Sequence, residues 1–215
     1  MRIRRALEHE HPNRYLPDIA VTLNNLGNVH RQESRQADAR QAYEEALRIR
    51  RELAENDPHT FMPDVAMTLN NLGVLDQDDN RLADARGKYD EALHIRRALA
   101  RTNPAAYLPD LALTLNNLGL LHRAESNIAG AREAVDEALR TYRTLAQNNP
   151  DVYLPFVATT LTSLGALHLE REQKRDARSA FEEARTIFSR FVIVAPATYE
   201  PRLRSVESNL AALGE

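Results

Sequence analysis

Asparagine pairs recur in this chain at one fixed interval: Asn24-Asn25, Asn70-Asn71 and Asn116-Asn117 stand 46 residues apart, and Thr162-Ser163 holds the same place in a fourth copy. A carboxamide carries both donors and an acceptor, so a row of them can bond the N–H and C=O groups of an extended peptide whatever its side chains. A second recurring slot holds His30, Asp76, His122 and His168. Imidazoles invite a metal reading, but equivalent residues on stacked helices stand about 8–10 Å apart, too far to share one ion at ~2 Å each. We expect these residues to fill a packing slot, and we expect neither a metal nor a cofactor.

Two further patterns carry charge. Asp76-Gln77-Asp78-Asp79-Asn80 matches the first half of a calcium loop, yet Arg81 replaces its glycine and Gly87 its bidentate glutamate. The run reads as an acidic turn between helices. Arg2-Ile3-Arg4-Arg5, Arg48-Ile49-Arg50-Arg51 and His94-Ile95-Arg96-Arg97, fading to Arg140-Thr141-Tyr142-Arg143, form a basic stripe, with Glu44, Glu45, Glu52 and Glu55 at helical spacing to neutralise it. No nucleophile stands with a base and an orienter, and no glycine loop could cradle a phosphate. The expectation is that the chain is not an enzyme.

The bulk composition narrows the field in the same direction. At 215 residues, 43% hydrophobic and 27% charged, the chain is apolar enough to fold, and a net charge of −3 supplies no global basic field for nucleic acid. With no cysteine, thiol catalysis and disulfides are excluded. The N-terminal run Met1 to Glu8 lacks the apolar core of a signal peptide, and no stretch reads as a membrane span of roughly 20 apolar residues. A cytoplasmic protein without nucleic-acid or membrane partners is the resulting expectation.

The interval of 46 residues organises everything else. Tyr15-Leu16-Pro17-Asp18, Phe61-Met62-Pro63-Asp64, Tyr107-Leu108-Pro109-Asp110, Tyr153-Leu154-Pro155-Phe156 and Tyr199-Glu200-Pro201-Arg202 mark its copies, and all 10 prolines fall in this slot or in that of Pro12, Pro58, Pro104, Pro150 and Pro196. Proline suits the first turn of a helix and the residue just past a helix end. The spacing therefore predicts helix A at about 17–33 and helix B at about 36–56, with breaks near Ser34, Asn80, Ser126 and Glu172. Ile19, Leu23, Leu26 and His30 share one face of helix A; Ala39, Ala42, Tyr43, Ala46, Ile49 and Leu53 share one face of helix B. A hairpin of two such helices cannot bury its apolar surface alone, so copies must stack. Gly27, Gly73, Gly119 and Gly165 stand where backbones approach, and Gly27→Leu is expected to wedge the hairpin apart.

Leu23-x2-Leu26-Gly27-x2-His30 followed by Ala39-x3-Tyr43-x2-Ala46 resembles the tetratricopeptide-repeat pattern. The wording Thr22-Leu23-Asn24-Asn25-Leu26-Gly27 with Ala46-Leu47-Arg48-Ile49-Arg50 is most similar to the long-repeat branch typified by kinesin light chains. The resemblance implies an all-α, right-handed superhelical α-solenoid of antiparallel hairpins. It places a partial B helix at 1–14, repeats at 15–60, 61–106, 107–152 and 153–198, and a capping helix at 199–215, all in one array. The unit exceeds the usual 34 residues, leucine replaces the family's helix A tryptophan, and His or Asp replaces its tyrosine.

Function follows from the face of helix A opposite its core. With that core centred between Leu23 and Leu26, the opposite face carries Val21, Asn24 and Asn28, flanked by Asn25 and Arg31. Its counterparts are Met67, Asn70, Val74 and Gln77, flanked by Asn71; then Leu113, Asn116, Leu120 and Arg123, flanked by Asn117; then Thr159, Thr162, Ala166 and Leu169. In the family this face lines the concave surface, which implies a scaffold that holds an extended protein or peptide segment through asparagines and interleaved apolar residues. Arg31 and Arg123 could pair an acidic partner. Two rivals stand beside this expectation. One is a self-associating array, a homo-oligomer through its terminal helices, for which Phe191-Val192-Ile193-Val194 is the candidate patch. The other is a sensor segment of a larger signalling protein, consistent with a chain that opens within a B helix.

Overall fold

A computed structural model describes residues 15–214. The described residues form helices and turns without a strand: α1 Leu16–Gln32, α2 Gln36–Asn56, α3 Pro58–Asp78, α4 Leu82–Thr102, α5 Pro104–Ala124, α6 Ile128–Asn148, α7 Pro150–Glu170, α8 Lys174–Val192 and α9 Pro196–Ala212. Odd-numbered helices are the A helices and even-numbered ones the B helices. The expected partial B helix at 1–14 and the first basic cluster lie outside the described residues. The chain divides into two compact units between Pro104 and Ala105, where the sequence suggests one array. In the first unit α3 packs between α2 and α4; in the second α7 packs between α6 and α8, and α9 packs on α8.

Four of the A helices, α1, α3, α5 and α7, end in the same backbone device. Ser34 takes φ 59°, its N–H bonds the Arg31 carbonyl at 3.0 Å, and the Arg35 N–H bonds the His30 carbonyl at 2.8 Å. This pair of bonds satisfies carbonyls that the helix end would leave open, and it needs one left-handed residue. Asn80, Ser126 and Glu172 repeat that conformation, at φ 58°, 59° and 59°. All four stand where the breaks are expected.

The prolines divide differently from expectation. Pro58, Pro104 and Pro150 open helices, so α3, α5 and α7 begin about five residues earlier than predicted, and Pro63, Pro109 and Pro155 lie inside them. Pro63 has no N–H to offer four residues back, but the residue affected there, His59, is exposed to water. The added first turn is held by Asp57, whose carboxylate accepts the Thr60 N–H at 3.2 Å, and by Phe61 and Met62, which pack on the core. The hydrogen bonds from Thr60 hold the Asp57 carboxyl below the usual carboxylate range.

Core packing follows the predicted B face and widens the predicted A face. Ala39, Ala42, Tyr43, Ala46 and Ile49 are buried, joined by Leu47 and Ala54. Gly27 is where the two helices touch, because a Cβ built there would lie 2.5 Å from Cε1 of Tyr43; Gly73 and Gly165 meet Tyr89 and Phe181 in the same way. In α3 the buried arc runs over Val65, Ala66, Thr68, Leu69, Asn70, Leu72, Gly73, Leu75 and Asp76. That is more than a single stripe, since a helix between two neighbours is covered from both sides. Leu26 departs from its copies: it is 38% exposed, whereas Leu72 is 1% exposed. In α9, Glu207 and Ala211 occupy the slots of Leu161 and Gly165 and are exposed.

Candidate protein-binding face

The structure exposes part of the expected face of the A helices and buries one of its rows. Val21 and Leu113 are exposed at 45% and 36%, Asn25 is exposed, and Met67, Asn71 and Asn117 are half-buried. Asn24, Asn70 and Asn116 are buried, at 3%, 4% and 8% exposure. They cannot offer amides to a peptide. For Asn24 the cover comes from Arg50 on α2 and Asn71 on α3, on a flank that a one-stripe reading leaves open.

The buried asparagine works within the fold. Asn71 donates through Nδ2 to Oδ1 of Asn24 at 3.1 Å, and the guanidinium of Arg50 lies 3.4 Å from the same oxygen. Arg50 is only 1% exposed, bonds the Asp64 carbonyl at 3.1 Å and the Thr68 hydroxyl, and lies 3.8 Å from the Asp64 carboxylate. Burial lowers its pKa, and Asp64 opposes that shift. The network ties the B helix of one copy to the A helix of the next. It also corrects the basic stripe, because Arg50 and Arg96 are buried. Arg48 pairs Glu52, whereas Arg51 and Arg143 reach Glu91 and Glu183 on the next B helix.

The network changes along the chain. Tyr142 stands in the slot of Arg50 and Phe156 in that of Asp64, and their rings stack at 5.2 Å. Ser163 replaces the donor Asn71, so Oδ1 of Asn116 has no partner among the described residues.

The polar members of the exposed face are largely tethered. Asn28 accepts the Tyr43 hydroxyl at 2.7 Å, and Gln77 accepts that of Tyr89 at 3.3 Å. Arg31 pairs Asp78 at 3.1 Å and Arg123 pairs Glu170, each across to the next A helix. Each of these arginines already carries one carboxylate partner within its own unit.

In the second unit the A helices enclose a groove of about 640 Å³. Its lining includes Leu120, Arg123, Thr159, Thr162 and Ala166, all on the expected face, together with Ser163. The hydroxyls of Thr159, Thr162 and Ser163 donate to carbonyls of their own helix at 3.0, 2.9 and 3.4 Å; the Thr159 oxygen accepts from Arg202, which leaves those of Thr162 and Ser163 as acceptors toward the groove. Phe188, Pro201, Arg202, Ser205 and Asn209 complete the lining. Sequence reasoning missed the four on α9 because it treats the last helix as a cap, and Phe188 because it looks for the face on A helices alone; the signal available was the register that puts Arg202 in the slot of Asp64 and Phe188 in the slot of Arg50.

The other chemistry-bearing residues are structural. His168 bonds Gln173 at 2.8 Å, and Nδ1 of His122 lies 3.3 Å from the Asn127 amide. In the acidic turn the buried Asp76 meets Arg40 and Arg81, and Asp79 meets the same two arginines. Desolvation raises the Asp76 pKa, opposed by Arg40. The expectation about membrane spans needs correction, since α7 is long and apolar enough to cross a membrane, with a mean hydropathy of 1.4 over its best window. Its apolar character has another use: Val157, Ala158, Leu161, Leu164 and Leu167 form the core of the second unit.

Comparison with known proteins agrees with this geometry. The tetratricopeptide repeat profile matches residues 19–59, 65–102, 111–151 and 157–190. The structure of BtubC (BKLC) from P. vanneervenii is similar at a TM-score of 0.73 and 22% identity, covering 99% of this chain and 78% of that one. PilF of Pseudomonas aeruginosa is similar at a TM-score of 0.57 and 19% identity, covering 93% of this chain and 78% of that one. No curated protein matches the chain in sequence. At these identities the structural likeness concerns the fold.

Proposed function

The chain belongs to the tetratricopeptide-repeat family, and from that premise we propose that it is a non-catalytic scaffold holding an extended segment of a protein partner against its A helices. The observation that carries this reading is the groove in the second unit, whose lining combines apolar residues with hydroxyl acceptors. An extended segment presents N–H donors at regular intervals and alternates its side chains, so it fits such a lining. In the first unit Val21, Asn25 and Met67 extend the same face, as does Leu113 in the second. Asn24, Asn70 and Asn116 support the face from behind.

The test is selection from a random-peptide display library by the whole chain, beside Ala166→Arg, which fills the groove from a half-buried position. Enrichment by the wild type and its loss in the variant, with helicity unchanged, is the expected result. Equal enrichment by both would place the binding face elsewhere.

A further inference from the structure

The groove contains one arginine whose internal partner has been replaced. In the first unit the slot of Phe188 holds Arg50 and the slot of Arg202 holds Asp64, a pair of opposite charges 3.8 Å apart. One copy before the end the same two slots hold Tyr142 and Phe156, which stack. At the last copy the cation stands on the A helix instead, and the residue facing it is a phenyl ring. Among the described residues no carboxylate lies within ion-pair distance of Arg202. Its Nη1 donates to the Thr159 hydroxyl at 3.3 Å, and its guanidinium lies 5.8 Å from the Tyr199 ring centre. Tyr199 packs in turn on Phe188 and Phe191, with ring centres 6.3 and 5.5 Å away. The result is an exposed guanidinium held over an aromatic floor, with most of its donors pointing to solvent.

We propose that Arg202 reads a side-chain carboxylate, Asp or Glu, in a partner segment seated in this groove, with an apolar neighbour against Leu120. This deepens the binding role proposed above and rests on it. A planar guanidinium matches a carboxylate in a bidentate fork. A phosphate group suits the site less well, because its charge of about −1.5 to −2 calls for more than one open cation, and Arg123 is already paired with Glu170.

The experiment uses the whole chain and a random heptapeptide library fused at its C-terminus, so that only side-chain carboxylates are on offer. The best selected peptide is then titrated in its acidic form and with Asp→Asn and Glu→Gln replacements. The wild type should prefer the acidic form by on the order of tenfold, less at high salt. Arg202→Gln should abolish that preference while still binding the neutral peptide, Arg202→Lys should restore part of it, and Ser205→Asp, one helical turn along, should mimic the loss by supplying an internal partner. Enriched peptides without an acidic residue, bound equally by Arg202→Gln, would overturn the role of Arg202 and leave the groove intact as a binding face. Failure of the wild type to enrich any peptide would overturn both.

Discussion

Asn71 donates to Asn24 at 3.1 Å, joining the two asparagine rows of successive copies by a bond inside the protein. The doublet thus divides its labour: its first member is buried and holds neighbouring helices, while Asn25 faces solvent. Asn24→Ala removes the acceptor of Asn71 and one acceptor near Arg50, and is expected to cost about 1–3 kcal/mol. Asn25→Ala should stay within about 0.5 kcal/mol. Urea denaturation of both variants checks this, and a larger loss for Asn25→Ala would reverse the assignment.

This division was only partly legible in the sequence. The period, the hairpins, the turn at Ser34 and its copies, and the close approach at the glycines follow from spacing, because proline, glycine and apolar periodicity act locally; that the glycines meet the rings of Tyr43, Tyr89 and Phe181 is seen only in the structure. The burial of Asn24 does not, since it depends on Arg50 of the following B helix and Asn71 of the next copy. A single-stripe reading rotates the face by about one residue and exchanges Asn24 for Asn25. The helix starts were misplaced for a similar reason. Pro63 looks like a first-turn proline until Phe61 and Met62 are seen packing on the core, which draws the helix back to Pro58.

The turn at Glu172 carries a removable cost. Its φ of 59° is a conformation that glycine adopts freely and a glutamate does not. Glu172→Gly should stabilise the chain by about 0.5–1 kcal/mol after the added freedom of the unfolded chain is counted. Asn80→Gly should give less, because asparagine tolerates this conformation. Thermal unfolding of the two variants side by side reads the difference.

Buried phenols make stability depend on alkaline pH. Burial pushes the Tyr89 pKa well above its usual 10.0, with the nearby carboxylates of Asp78 and Asp76 adding to the shift. Burial raises Tyr43 as well, against the pull of Arg31. The neutral phenol is the form the fold favours, so this stability is fully present below about pH 10 and is lost as pH rises through the folded-state values. Absorbance titration should show these two ionising late, together with unfolding, and Tyr89→Phe should remove one late step. Early, reversible ionisation of all tyrosines would contradict the packing.

The central claim is that the A helices carry the partner. The most direct measurement places a photo-crosslinking side chain at Ala166, in the groove, and separately at Ser189, exposed on the B helix α8. Each is irradiated with the selected peptide bound. Crosslinking from position 166 and none from 189 is the predicted result. Crosslinking from 189 alone would mean that the partner lies on the B helices and that the groove is not its site.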